Sequence, residues 1–210
     1  MKNLFGAFAA LTLSLCVFAN AAGTIEAVSG YRILPEPDTD LSLNIEKTGI
    51  WKGKHHSVHF ERYQADIAYD ATHPVDSKVR LVIDAGSLTC TDTWLEEKYR
   101  RRVVDWGENH MLEVQRFPEI EFASRSAVER GPNEYEVTGL LTVHGVTRTE
   151  KLTVRVSSRQ DGGFQFAGEA YVNMRDFGME PPSAMMGAIG TKEVMYIHFH
   201  LGARPSGLAR

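Results

Sequence analysis

Apolar and polar residues alternate along most of this chain with a period of two. From Glu134 to Val143, the residues Tyr135, Val137, Leu141 and Val143 share one parity, with Gly139 among them. The alternation resumes from Val146 to Val156, with Leu152, Val154 and Val156 on the repeated parity. Such a pattern puts one parity on a buried face and the other in water, as in a half-buried strand. His144-Gly145 lies at the join, where glycine reaches positive φ without steric cost, so a tight hairpin is predicted.

The same alternation marks further strands. They are Tyr31 to Leu34, ended by Pro35-Glu-Pro-Asp38; Leu41, Leu43 and Ile45; Val79, Leu81 and Ile83; Ile120 and Phe122; and Met195, Ile197, Phe199 and Leu201. Phe164, Phe166, Gly168, Ala170 and Val172 form another, opened by the turn Asp161-Gly-Gly163. Val58 and Phe60 have even parity, whereas Ile67 and Tyr69 have odd parity. A parity change within one long strand predicts a bulge near Arg62 to Gln64. From Arg204 onward the chain reads as a loose tail.

One segment has a different period. Leu95, Tyr99, Val103 and Trp106 form an apolar stripe at helical spacing, which predicts a helix over about residues 93–106. Thr93 with Glu96 reads as its capping box, Glu97 with Arg101 and Glu96 with Arg100 as supporting ion pairs, and Gly107 as its stop. The expected fold is therefore all-β: an eight-stranded antiparallel barrel with this helix inserted, because long strands in a meander close on themselves and so remove their edges. A barrel of about eight strands is wide enough either to be filled by side chains or to hold one small ligand. Its apolar-in, polar-out pattern is the reverse of an outer-membrane barrel, so it should be soluble.

The chain has 210 residues, 43% of them hydrophobic, enough for a sizeable core in one domain. A net charge of -4 gives no sign of a nucleic-acid partner. Residues 1–21 read as a secretory signal: Lys2, an apolar run from Leu4 to Phe18, then Ala19-Asn20-Ala21. The run is too short to span a bilayer, so no stable membrane anchor is expected. Leu15 precedes Cys16 where a lipoprotein signal needs a small residue. Export would leave Cys90 as the one cysteine, so the fold must rest on its core rather than on an intramolecular disulfide. The barrel domain is expected to cover residues 31–203 of an exported chain.

Candidate chemistry is sparse. Of the eight histidines, His55 and His59 share a parity, as do His198 and His200. The latter pair falls on the water-facing parity, and no full ligand set with recognised spacing is present, so no metal or other cofactor is expected. His144 is a candidate base without an accompanying nucleophile motif, and a histidine at a turn is also simply structural. Nothing marks Cys90 as a reactive thiol.

The residues expected to carry function line the barrel interior. Gly139, Gly168 and Ala170 sit on the inward parity, where a packed barrel would want bulk. Phe60, Leu81 and Phe122 face the same interior, as do Val137, Leu141 and Val143 of the hairpin. Val154, Phe166, Ile197 and Phe199 complete the wall. Tyr99 and Trp106 of the helix are expected to close part of it, and Met185 and Met186, within the long segment Met179 to Gly190, to border its mouth. Arg148 and Glu150 also fall on the inward parity. They either meet water or a ligand head group, pair with each other, or are turned outward by a bulge.

Four motifs carry a resemblance. Gly139-Leu-Leu-Thr-Val-His-Gly-Val-Thr147 with Tyr135 before it, Phe117-Pro-Glu-Ile-Glu-Phe-Ala-Ser124, Ile83-Asp-Ala-Gly-Ser-Leu88 and Arg175-Asp-Phe-Gly178 resemble the YceI-like family in order and spacing, from about Tyr31 to Leu201. The resemblance implies a lipocalin-like barrel in the bacterial periplasm. It also implies a long apolar cavity holding a polyisoprenoid or similar amphipathic lipid, with an isoprenoid quinone as one option. Two stretches depart from the family pattern: Trp51-Lys-Gly-Lys-His-His56, and the Met- and Pro-rich Met179 to Gly190. The competing classes are a lipid carrier without catalysis, a metal-binding protein or hydrolase using His144 or the His55, His56 and His59 group, and a solid barrel serving only for interaction. A homodimer is left open.

Overall fold

The computed structural model describes residues 29–70 and 73–206, so the expected signal segment lies outside the described residues. The chain forms β1 (Ser29–Ile33), β2 (Asp40–Gly49), β3 (His55–Phe60), β4 (Tyr63–Tyr69), β5 (Lys78–Asp84) and β6 (Leu88–Cys90), followed by helix α1 (Glu97–Trp106). It continues as β7 (Glu119–Gly131), β8 (Glu134–Val143), β9 (Val146–Ser158), β10 (Phe164–Asn173), β11 (Ser183–Ala184) and β12 (Ile189–Pro205).

Eight strands close into an antiparallel barrel in the order β1-β4-β5-β7-β8-β9-β10-β12, because β1 pairs with β4 on one side and β12 on the other. Strand β12 makes this closure possible by its length. Its 17 residues pair with β2 through Ile189 to His200 and with β1 through Ala203 to Pro205. The expected loose tail is thus corrected: Arg204 pairs with Arg32, and its guanidinium binds Glu36.

Strands β2, β3 and β6 extend the barrel wall at one end. They continue β1, β4 and β5 across three breaks. The parity change after Phe60 marks one of them: β3 ends at Phe60, β4 starts at Tyr63, and Phe60, Tyr63 and Ile67 are all buried. The break is tied to its neighbour in the next strand. Glu61 and Arg62 backbone N–H groups donate to the Ser87 carbonyl and hydroxyl, and Asp84 N donates to Arg62 O at 2.9 Å. Ser87 in turn donates to the Asp84 carbonyl at 2.7 Å. These bonds replace ladder partners at the bend.

The central hairpin forms as the alternation predicts. Val143 pairs with Val146, and His144 and Gly145 occupy the two turn positions with φ of 52° and 73°. Both angles are positive, as a type I′ turn requires.

The helix differs from expectation at both ends. Its N-cap is Glu96, in extended conformation and without a side-chain cap, so Thr93 lies outside and no capping box forms. The turn before it is held instead by Arg100, which donates to the Leu95 carbonyl at 2.8 Å. Glu97 does receive Arg101 Nε at 3.1 Å. Gly107 does not stop the helix. It keeps right-handed helical angles, and a wider π-turn continues through Met111. Its lack of a side chain serves packing, since a Cβ there would lie 3.3 Å from Leu88 Cδ1.

Candidate functional site

The barrel encloses a cavity of about 350 Å³. This lies in the range of small-molecule sites, about 300–1,000 Å³. Nearly all of its wall is apolar. Phe60, Leu81 and Phe122 line it from β3, β5 and β7, and Val137, Leu141 and Val143 from β8. Val154, Phe166 and Ala170 face it from β9 and β10, and Ile197 and Phe199 from β12. Each of these stands where strand parity placed it.

Seven of the residues singled out from the sequence do not form part of the cavity wall. Helix α1 has no buried residue; Tyr99 is exposed, and Trp106 packs outside the cavity wall. The plug at this end is supplied by Met111 and Leu112, which are buried and line the cavity. They belong to the π-turn and its exit, so the helix supports the plug without forming it. The available signal was the apolar pair Met111-Leu112 shortly after the stripe, beyond Gly107.

Gly139 and Gly168 do point inward, but neither opens space. A Cβ at Gly139 would meet Phe122 Cζ at 2.3 Å, and one at Gly168 would meet Phe199 Cζ at 2.5 Å. Each glycine is covered by an aromatic ring from the adjacent strand, so the missing side chain is replaced rather than left empty. Met185 and Met186 are also outside the wall. Both have positive φ in a tight turn that points their side chains outward, and they are 70% and 107% exposed. The turn packs instead on the β2–β3 tip, where Ile50 N donates to Ala188 O at 3.0 Å.

Arg148 is exposed and donates to the Thr147 carbonyl at 3.1 Å. It shares the inward parity, but β9 has no β10 partner at this level: that ladder ends at Leu152 opposite Ala170. Glu150 does line the cavity. Burial, and next the neighbouring Asp176, raise its carboxyl above the ordinary carboxylate range.

The histidines do not converge. His56 lies on the inner face of the barrel extension, with Nδ1 2.6 Å from Asp92 Oδ2 and its ring stacked on Trp94. His59 is on the other face, with Nδ1 2.6 Å from Asp40 and Nε2 3.0 Å from Thr91. His55, His198 and His200 are exposed. Burial pushes the Cys90 thiol up to about 11, which keeps it protonated near neutrality. Among the described residues, the carboxylates and ring that come within 4.8 Å of one another are Asp70, His73 and Asp76, on the β4–β5 turn. Sequence spacing alone did not single them out.

His144 is held on both sides. Its Nε2 lies 3.0 Å from Glu113 Oε1, and its Nδ1 lies 3.3 Å from the Phe177 carbonyl. Phe117 packs edge-on against the ring at 4.8 Å. Hydrogen bonds from His144 and then Arg116 hold the Glu113 carboxyl below its ordinary range. Three of the recognisable motifs thus meet at one barrel end and knit β8–β9 to the turns after α1 and β10. The fourth, Asp84 to Ser87, knits the strand breaks. The turn residues of the motifs build the frame, while their strand residues Phe122, Leu141 and Val143 contribute to the cavity wall.

These features place the molecule among closed antiparallel barrels with an internal apolar cavity. The chain belongs to the YceI-like family, whose domain profile matches residues 31–202. A UPF0312 protein of Pseudomonas putida is 28% identical over 60% of this chain, and the matched stretch spans 64% of that protein's own length. Among solved structures, Burkholderia cenocepacia BcnA superposes with a TM-score of 0.63 at 21% identity, covering 79% of this chain and 96% of that one. A polyisoprenoid-binding domain from Saccharophagus degradans, implicated in plant cell wall breakdown, superposes with a TM-score of 0.55 at 13% identity, covering 83% and 98%.

Proposed function

We propose that this protein holds an amphipathic lipid of the polyisoprenoid class in its barrel and serves as a carrier or sequestering protein without catalysis. An isoprenoid quinone is one member of that class. The observation that carries the reading is the cavity itself: a space inside a closed barrel whose wall is predominantly apolar, with Val, Leu, Ile and Phe supplying most of it. Apolar surface of this kind is stabilised by filling it with hydrocarbon, at roughly 25 cal/mol per Å² removed from water. The polyisoprenoid-binding domain of similar fold supports the same ligand class. The bonds to both His144 nitrogens and the protonated Cys90 support a role other than catalysis.

The reading extends to location. The segment from Lys2 to Ala21 is taken as a cleaved signal, so the protein acts in the periplasm and has no stable membrane anchor. Gentle native mass spectrometry of protein purified from its source tests the ligand and the cleavage together. The expected spectrum shows a chain lacking about its first 21 residues, carrying a noncovalent adduct of isoprenoid mass. A lipid-free mass under conditions that preserve other noncovalent complexes would overturn the carrier reading, and an uncleaved chain would overturn export. The same spectrum reports whether the protein is a monomer or a homodimer.

A further inference from the structure

The cavity wall carries a single charged side chain. Among the described lining residues, Glu150 is the one Asp, Glu, Lys, Arg or His. It stands on β9 opposite Gly139, beyond the point where β9 and β10 part. There β10 gives way to a tight turn, Met174–Phe177, which brings Asp176 towards Glu150. On its own strand the cation of the same parity is Arg148, which donates to the Thr147 carbonyl, and the adjacent Lys151 donates to Glu136. No ion pair joins Arg148 to Glu150 among the described residues. The rest of the wall offers only neutral polar groups, such as Ser124, Asn133, Ser157 and Ser158.

This distribution discriminates between head groups. A phosphate or carboxylate drawn into the barrel would lose its hydration, find no cation in the wall and meet a like charge at Glu150. A hydroxyl or ammonium head would instead donate a charge-assisted hydrogen bond to that carboxylate. Filling the apolar wall with the tail costs nothing that depends on the head, so the head decides between ligands of equal chain length.

We infer that Glu150 receives the ligand's head group, and that the barrel takes amphiphiles with a hydrogen-bond-donating, non-anionic head, a long-chain alcohol or amine, in preference to chain-matched anions. This rests on the lipid-holding reading above and adds the class of head group to it.

The test is displacement of a fluorescent naphthylamine from the delipidated protein by geranylgeraniol, geranylgeranylamine and geranylgeranyl phosphate. The alcohol and the amine are expected to displace the probe at concentrations about tenfold or more below that of the phosphate, the ratio that about 1.4 kcal/mol supplies. Glu150→Gln should remove the advantage of the amine, and Glu150→Lys should reverse the order in favour of the phosphate. Melting curves of both variants confirm that they are folded, and the order measured with the unsubstituted protein stands by itself if they are not. Equal or tighter binding of the phosphate, or an order unchanged in Glu150→Lys, overturns the inference. Failure of all three amphiphiles to displace the probe overturns the lipid-holding reading, and this inference with it.

Discussion

The ring of Phe122 lies over Gly139, filling the position that a side chain at residue 139 would occupy. An added Cβ would approach Phe122 Cζ to 2.3 Å and the Ala123 carbonyl oxygen to 2.7 Å. Close approach of the backbone is local here, because β7 carries a register shift between Ser124 and Ser126 opposite this part of β8. The arrangement recurs at Gly168, where the Phe199 ring and the Thr153 carbonyl oxygen crowd the same position.

The first prediction follows from this contact. Gly139→Leu and Gly168→Leu should each destabilise the apo protein by about 1–3 kcal/mol or more, the range for overpacking, because a ring and a carbonyl must both move. Gly139→Ala should already be destabilising. Chemical denaturation of the delipidated variants measures it. A Leu variant as stable as the parent would show that the glycine faces open space.

A cavity-filling substitution should behave in the opposite way. Val137 is half-buried and lines the cavity from β8. The extra atoms of Val137→Phe enter ligand space, so apo stability should change by less than about 1.5 kcal/mol. Uptake of a long-chain isoprenoid should fall. Large destabilisation with unchanged uptake would mean that the wall at Val137 is already packed.

The third prediction concerns acid. Asp92 is 3% exposed. Burial pushes its carboxyl up, but the hydrogen bonds from His56 and the Ser57 backbone outweigh this and lower it overall. A carboxyl lowered in the folded state contributes stability that is present above its unfolded value, about 3.9, and lost as pH falls through the folded value. Asp92→Asn should therefore cost stability near neutral pH, about 1–3 kcal/mol for the broken buried hydrogen bonds. The difference from the parent should shrink below about pH 4. Melting temperatures of the two proteins from neutrality to strong acid test this, and a constant difference across that range would contradict it.

Metal should have little effect on the fold. Asp70, His73 and Asp76 come within ligating distance, but His73 and Asp76 are exposed and the group sits on a turn outside the core. Neither excess zinc nor EDTA is expected to shift the melting temperature. A rise with zinc that His73→Ala abolishes would establish a structural metal at this turn.

Much of this fold was legible because strand alternation is a local property. The parity of Val58 and Phe60 against Ile67 and Tyr69 located the break between β3 and β4 without any knowledge of their neighbours. His144-Gly145 located the hairpin because two successive positive φ angles leave few residue choices. From that parity came eleven of the cavity-facing side chains, from Phe60 to Phe199, together with Glu150. The four motifs were legible too, and they led to the family.

The content of the inward positions was decided only in three dimensions. Parity states that Gly139 and Gly168 point inward, but a ring from the neighbouring strand determines whether the vacancy is filled. Arg148 obeys the parity and still reaches water, because β10 leaves β9 at Leu152 and exposes that level. Met185 and Met186 look like cavity residues by composition, yet a left-handed turn points them outward. Met111 and Leu112 became the barrel's plug because the helix ran on past Gly107, where Leu88 packs closely. For the glycines, Arg148 and the plug, the deciding neighbour is distant in sequence, and a period of two carries no information about it.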